Sequence, residues 1–524
     1  MSDGKTLEKE SDRSFSSRVS LNMVTNMARA IVLALVGLLM VPYYIEQFGM
    51  EVYGLLPLAT SITTYVLIAS DSLVSSFSRY LIIAIQSGDE EKANVTYSSS
   101  MIGMFRAVMK ILPVAILIAI ISPYVFQIGP ADALDVQIMF ALILVSALIV
   151  SFVSCLNSVF YSYNLLYSLY LMKIIYTLSQ VGLIILFFVT MGPSLIMIGV
   201  SYLIASLIYL VMMFIGVRRI CPFLHVSKSK YDKKLLGEMS RLGFWAMASS
   251  IGTMMFIQTS LVLVNMFLGP GTEAEFAVVA NIISIINTAC IALGNAGEPL
   301  VYRYNSEKDK EMVKHTLDLF TKLVGLIVVF PIAYICLFTP QLLVVWIHDE
   351  YEYIVPMTRL MVPVNIAVCA MYIMNCVFLM YAKMRQVAIA TCLFGLVNIG
   401  LACIFLPLSG NPMGASIPWA ISMLMLNLVF IPYYIAKTMG LNRLTFVKPI
   451  ILCYVVFAVL MGIGWFVSER WTMPSSILWI VSTVVVGFAV YFVFIFVFLL
   501  NKREKGTVLT YFPQSIQNLV HKII

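Results

Sequence analysis

Charge is scarce in this chain of 524 residues: Asp, Glu, Lys and Arg together make up 11%, where soluble proteins carry about 25%. Cysteine chemistry is also missing. The nine cysteines form no CxxC and no Cys/His cluster, and most sit in apolar runs. They read as small buried hydrophobes, with neither a disulfide framework nor a metal site expected. No GxxxxGK[ST] loop occurs, so no ATP-driven pump is encoded here. No HExxH or GxSxG occurs, so a membrane hydrolase lacks its parts. The first twenty residues are polar and the first apolar run is too long for an h-region, so no cleavable signal is expected.

What the chain has instead is apolar length. Hydrophobic residues reach 61% and the mean hydropathy is +0.96, values of a polytopic membrane protein. At about 20 helical residues per crossing, candidate spans fall at roughly 22–46, 53–86, 95–122, 134–163, 168–191, 195–217, 241–268, 274–302, 314–338, 355–382, 386–408, 413–436, 448–468 and 475–500. The expected fold class is an all-α membrane protein of about fourteen transmembrane helices.

The charges alternate along this series. Lys5, Lys9, Arg13 and Arg18 precede span 1, and Lys or Arg then recur in every second connection: Lys92, the 216–241 strap, Lys308 with Lys310 and Lys314, Lys383 with Arg385, Lys437 with Arg443, and Lys502-Arg503-Lys505. The intervening connections, such as QFGMEVYG, TMGPS, FLGPGTEAE and LSGNP, carry only Arg470 clearly on their side. This positive-inside pattern puts both termini in the cytoplasm. It also explains the net charge of +7 without a nucleic-acid partner. The external connections are about 4–12 residues long, leaving little room for a polymerase, ligase or glycosyltransferase domain.

The two sides of the basic strap resemble each other. Asn157-Ser-Val-Phe-Tyr-Ser-Tyr163 matches Asn375-Cys-Val-Phe-Leu-Met-Tyr381, and the same offset lays Gly182 on Gly400 and Gly192 on Gly410. Phe48-Gly49 and Leu268-Gly269 close the first span of each half, and Arg79-Tyr80 and Arg303-Tyr304 close the second. Six spans per half give parallel repeats about an axis along the membrane normal, with a cavity between two lobes. The expected organisation is a tail (1–20), an N-lobe (21–217), a basic linker (218–240), a C-lobe (241–436), a two-helix appendix (447–500) and a tail (501–524).

Charges inside spans are the candidate site, because each costs roughly 2.5–3.5 kcal/mol or more at mid-bilayer unless it meets water or a partner. Arg29 lies about two turns into span 1, Arg106 and Lys110 share a face of span 3, and Lys322 lies in span 9. With Arg79 and Arg303 these cations form the candidate anion-binding set. Arg79, Arg303 and Lys173, near cytoplasmic ends, read first as topology anchors or snorkelling side chains. Asp71 and Glu298 are the acids placed deep in spans. Each reads as an ion-coupling carboxylate, as the partner of a span cation, or as a packing hydrogen-bonder. The span asparagines Asn26, Asn157, Asn265, Asn281, Asn295 and Asn375 read as interhelical hydrogen-bonders.

Ser70-Asp71-Ser72-Leu73 with Arg79-Tyr80 and Gly88-Asp-Glu-Glu-Lys-Ala-Asn94 resembles the Wzx-type polysaccharide flippases of the MOP superfamily. Glu298-Pro299 with Arg303, and Leu343-Val-Val-Trp346-Ile-His-Asp-Glu-Tyr351, resemble second-half signatures of that family, over most of residues 15–440. One departure is Ser72, where the family usually has Gly after the Asp. The resemblance implies a V-shaped fold of two six-helix lobes that moves a polyprenyl-pyrophosphate-linked oligosaccharide, such as an O-antigen unit, across the cytoplasmic membrane. Arg29 is then the best phosphate ligand, since first spans line the cavity in this fold and a guanidinium binds phosphate bidentately. It implies no cofactor beyond a coupling H+ or Na+, and contacts with polysaccharide-assembly proteins. Three alternatives stand beside it: a MATE-type cation-coupled drug or metabolite antiporter, a MurJ-type lipid II flippase, and a non-transporting scaffold. An antiporter of that type usually has twelve spans and an acid in span 1 or 7, whereas here span 1 carries Arg29 and span 7 has no acid.

Overall fold

A polar backbone crosses hydrocarbon only with its N–H and C=O groups paired internally, and this chain meets that condition with helices alone. No strand occurs among the described residues of the computed structural model, which are 2–307, 309–347, 353–381, 383–468, 476–501 and 504–506. The first half runs α1 (Ser2–Phe48), α2 (Met50–Gln86), α3 (Glu90–Val125), α4 (Ala133–Ser154), α5 (Asn157–Ser162), α6 (Leu166–Met191) and α7 (Leu195–Ile220). The second runs α8 (Lys233–Met254), α9 (Ile257–Leu268), α10 (Pro270–Ser306), α11 (Lys310–Trp346), α12 (Ile354–Met361), α13 (Asn365–Ala370), α14 (Asn375–Met380), α15 (Met384–Ser409), α16 (Met413–Leu424) and α17 (Ile431–Met439). Last come α18 (Val447–Ser468) and α19 (Ile477–Phe494).

Among the described residues, 12 helices are long and apolar enough to cross a membrane, and up to 14 if each of two bent pairs is one span. The expectation of about fourteen is thus reached only by counting the broken spans 247–268 and 354–378, each bent by 41°. The chain is a multi-pass membrane protein.

The repeat reappears as shared backbone chemistry. Gly49 (φ 77°) ends α1 and Gly269 (φ 94°) ends α9, and each donates its N–H four residues back, to Ile45 and Asn265. Gly192 (φ 88°) and Gly410 (φ 62°) close α6 and α15 in the same way. Without a Cβ, glycine adopts this left-handed turn at little cost. Asp89 and Asp309 cap α3 and α11 alike, accepting from Lys92 N at 2.9 Å and Met312 N at 3.0 Å, each cap contributing about 1 kcal/mol.

Two compact units group these helices: residues 1–281 with 384–422, and residues 282–383 with 423–524. In the first unit α4 packs on α3 and α7, and α8 packs on α2 and α15. Here the basic strap lies along α3. Asn94 donates to Phe223 O (3.1 Å) and accepts from His225 N (2.9 Å), Ser98 accepts from Ser227 N (3.1 Å), and Ser99 accepts from Asp232 N (2.9 Å). A polar helix face thus replaces water for a connection whose backbone would otherwise be unpaired. In the second unit α18 and α19 pack on α11, where the Phe330 ring stacks on Tyr491 at 5.5 Å and Tyr491 donates to Leu326 O at 2.8 Å.

The break between α8 and α9 shows how such a fold tolerates free carbonyls. Asn398 on α15, 0% exposed, donates to Met255 O at 3.0 Å, and Ser260 Oγ lies 3.3 Å from the same amide nitrogen. Asn398→Ala is expected to destabilise the detergent-purified protein by about 1–3 kcal/mol, the cost of a stranded buried acceptor. An unchanged melting temperature would show that the break is satisfied without it.

Candidate functional site

The site is built from the entry of α1. Asn22, 6% exposed, donates its side-chain amide to Asn164 Oδ1 at 2.8 Å and accepts the Tyr167 N–H at 2.7 Å. Asn164 has φ 53°, a conformation Asn tolerates better than most residues, and its turn starts α6 beside α1. At their far ends the two helices still meet, with the Tyr43 and Phe188 rings 5.9 Å apart. They therefore run parallel from a common clamp.

At about 1.5 Å per residue, Arg29 on α1 and Lys173 on α6 both lie about 10 Å beyond that clamp. The Arg29 charge reaches the Lys173 ammonium and the phenols of Tyr170 and of Tyr209 on α7. Tyr209 is 2% exposed, its hydroxyl has no hydrogen-bond partner, and its ring lies 5.4 Å from Tyr176. Neither cation forms an ion pair with a described residue. Like charges at one depth of an apolar bundle repel and are poorly solvated. An anion placed between them relieves both costs, and the nearby phenols can donate to it.

Tyr161 on α5 faces the same tyrosines and also lines a cavity of about 660 Å³ with Arg79, Ser78, Ser154 and Asn157. Asn157 Oδ1 is buried and unpartnered. Arg79 thus opens on a mostly apolar hollow, completed by Val74, Ile82 and Ile83, that shares its Tyr161 wall with the Arg29–Lys173 cluster.

The remaining sequence candidates lie elsewhere. Arg106 on α3 stacks over the Tyr231 ring of the strap at 4.5 Å, and Lys110, one turn on, is exposed. Arg303 is largely exposed and pairs with Glu307 at 3.0 Å along α10, an arrangement that contributes little in water. Lys322 on α11 is bound to Glu504 of the C-terminal segment at 2.9 Å, with both side chains nearly buried. Glu298 is half-buried, with the phenols of Tyr302 and Tyr372 in electrostatic reach. Asp71 lies on α2, but its side chain falls outside the described residues, as do residues 348–351 of the Trp346 motif.

A family model described as "Polysaccharide biosynthesis protein" matches residues 21–297, more than half of the chain. The chain belongs to that family. Arg29, Arg79 and Lys173 all lie within the matched stretch of this polysaccharide biosynthesis protein. A curated relative, the uncharacterized membrane protein EpsK of Bacillus subtilis (strain 168), is 22% identical over 514 residues, covering 95% of this chain and 99% of its own. Among solved structures, an inward-facing multidrug resistance MATE family transporter of the MOP superfamily is similar at a TM-score of 0.65 and 13% identity, over 80% of this chain and 99% of that one. An outward-facing transporter of the same description is similar at 0.58 and 14% identity, over 85% and 96%. At such identities the likeness is one of fold, and the fold is that of membrane transporters.

Lys173 was the residue that sequence reasoning undervalued. Its position at the start of a span is that of an anchor, and only the Asn22 clamp, joining α1 to the α5–α6 turn, sets it level with Arg29. The polar pair Asn22 and Asn164 was visible in sequence, but their pairing across 142 positions was not.

Proposed function

We propose that this protein is a flippase that carries a polyprenyl-pyrophosphate-linked oligosaccharide across the cytoplasmic membrane, with both termini inside. The observation that supports this most is the Arg29–Lys173 pair, two cations with no acid partner among the described residues and set among phenols. A pyrophosphate brings about two negative charges and several acceptor oxygens, matching two cations and their tyrosine donors. In this reading Arg79, across the Tyr161 wall, receives the headgroup on entry from the cytoplasmic side. In the mostly apolar hollow around it, Ser78, Ser154 and Asn157 beside Val74, Ile82 and Ile83 offer a few polar groups to sugar hydroxyls. Membership of a polysaccharide biosynthesis family agrees with this cargo.

Transport proceeds in this reading by alternating access, with ion coupling through Asp71 or Glu298. A cation-exporting antiporter fits less well, because an unpaired cation pair repels a cationic drug. The test is depletion of the protein in its own host. Lipid-linked oligosaccharide is expected to accumulate in the cytoplasmic leaflet while surface polysaccharide falls. Unchanged surface glycan together with loss of dye efflux would overturn the reading in favour of an antiporter.

A further inference from the structure

Two acids are buried among the described residues, Glu273 and Glu504. Glu504 has Lys322 as its partner. Glu273 is 0% exposed, and neither of its carboxyl oxygens has a hydrogen-bond partner. Read from sequence, it falls in the external connection FLGPGTEAE, where it would be solvated. The chain instead enters α10 already at Pro270, so Glu273 sits one turn inside the helix, its N–H bonded to Gly269 O at 3.1 Å.

Its surroundings are closed by the matching turn of the other repeat. Gly49 leads into α2 as Gly269 leads into α10, and Tyr53 N bonds Gly49 O at 3.1 Å. Tyr53 and Glu273 therefore hold equivalent places in the two repeats, and they meet, the Tyr53 phenol lying in electrostatic reach of the carboxyl. Gly54 is what permits the approach: a Cβ there would fall 2.7 Å from Glu273 Oε2 and overlap the Pro270 carbonyl oxygen. The Glu51 side chain covers Gly271. Beside them Asn265, also 0% exposed, accepts from Gln127 N at 3.0 Å and donates to Gln127 O at 3.2 Å. In one seam, then, the buried amide is fully matched and the buried acid is not matched at all.

Among the described residues, the titratable groups near this seam are Tyr53 and Glu51 of α2, Tyr44 of α1, whose ring stacks on Tyr53 at 6.4 Å, Tyr202 of α7 behind Tyr53, and Glu275 on α10 itself. None of these is a cation. An acid in a first helical turn is favoured by the helix dipole by about 0.3–1 kcal/mol, which is less than the cost of burying a carboxylate whose oxygens make no hydrogen bond. A carboxylate with neither a hydrogen-bond donor nor a cation is among the costliest groups to bury, whereas the neutral acid is tolerated.

We propose that Glu273 is a proton-binding site that operates the α2–α10 seam. The seam closes over the neutral carboxylic acid. It opens when the proton passes to water on that side, the exterior by the charge pattern, because the resulting carboxylate requires the hydration that closed packing excludes. The site is independent of the cargo assigned above, and its test uses none.

Ala274, next in sequence and 0% exposed, serves as the reporter. The protein carrying Ala274→Cys, held in lipid nanodiscs so that both faces are accessible, is labelled with a charged maleimide over a pH series. The same chain without the reporter gives the background of the native thiols. The labelling rate, divided by that of the reporter in Glu273→Gln, is expected to rise several-fold with pH along a one-proton curve. Parallel curves for the two proteins would overturn the proposal. Infrared difference spectra of the wild-type chain provide a measurement that does not depend on the variant folding. A carboxylic-acid carbonyl band should vanish in step with the rise in labelling, and a spectrum with no such band would equally overturn the proposal.

Discussion

Arg29→Ala is expected to lower export of lipid-linked oligosaccharide by about 10- to 100-fold, the loss of one to two charge-assisted hydrogen bonds at about 1.5–3 kcal/mol each in part compensated by water. Arg29→Lys should retain a partial activity, because it keeps the charge and loses the bidentate fork. Lys173→Ala should be as damaging as Arg29→Ala, since both cations lie about 10 Å beyond the same clamp and the Arg29 charge reaches Lys173. The double variant should lose little more than either single one if the two act on one anion. Complementation of a flippase-deficient strain, with membrane insertion checked by blotting, reads the result. Full complementation by Arg29→Ala would remove the phosphate from α1. A mild Lys173→Ala beside a severe Arg29→Ala would return Lys173 to the role of topology anchor.

Lys322→Ala is expected to cost roughly 3–5 kcal/mol of stability, the penalty for stranding the other half of a buried ion pair. Among the described residues, Glu504 would then keep only the Asn501 N–H, at 2.7 Å. The partner exchange Lys322→Met with Glu504→Leu should recover most of that loss, because apolar replacement of both members removes the desolvation cost along with the attraction. Thermal unfolding in detergent distinguishes this from a role at the cargo. If Lys322→Ala melts as the wild type does yet abolishes export, Lys322 contacts the headgroup after all. The structure supports a fastening role: α11 is the element on which α18 and α19 pack, and the pair ties the segment following α19 to it.

Much of this was legible in the chain alone. Membrane insertion follows from 61% hydrophobic and 11% charged residues, since no soluble packing can hide that much apolar surface. The span count followed from the bilayer thickness. The repeat was readable because equivalent backbone turns need equivalent residues, and the glycines at 49 and 269, and at 192 and 410, all adopt positive φ. Two broken spans were not legible, because apolar composition does not record a 41° bend. Buried Asn398, far along the chain, is what makes one of them tolerable.

The site divided in the same way. Sequence alone determined that Arg29 is a cation in an apolar span, because the cost of a desolvated charge depends only on residue type and hydropathy. Tertiary structure alone decided which cations share a place. Arg106 turned to Tyr231, Arg303 to Glu307 and Lys322 to Glu504, while Lys173 came level with Arg29. Glu273 passed from an expected loop to a sealed interior for the same reason: whether a polar group is solvated depends on which distant segment packs over it, and helix periodicity carries no record of that neighbour.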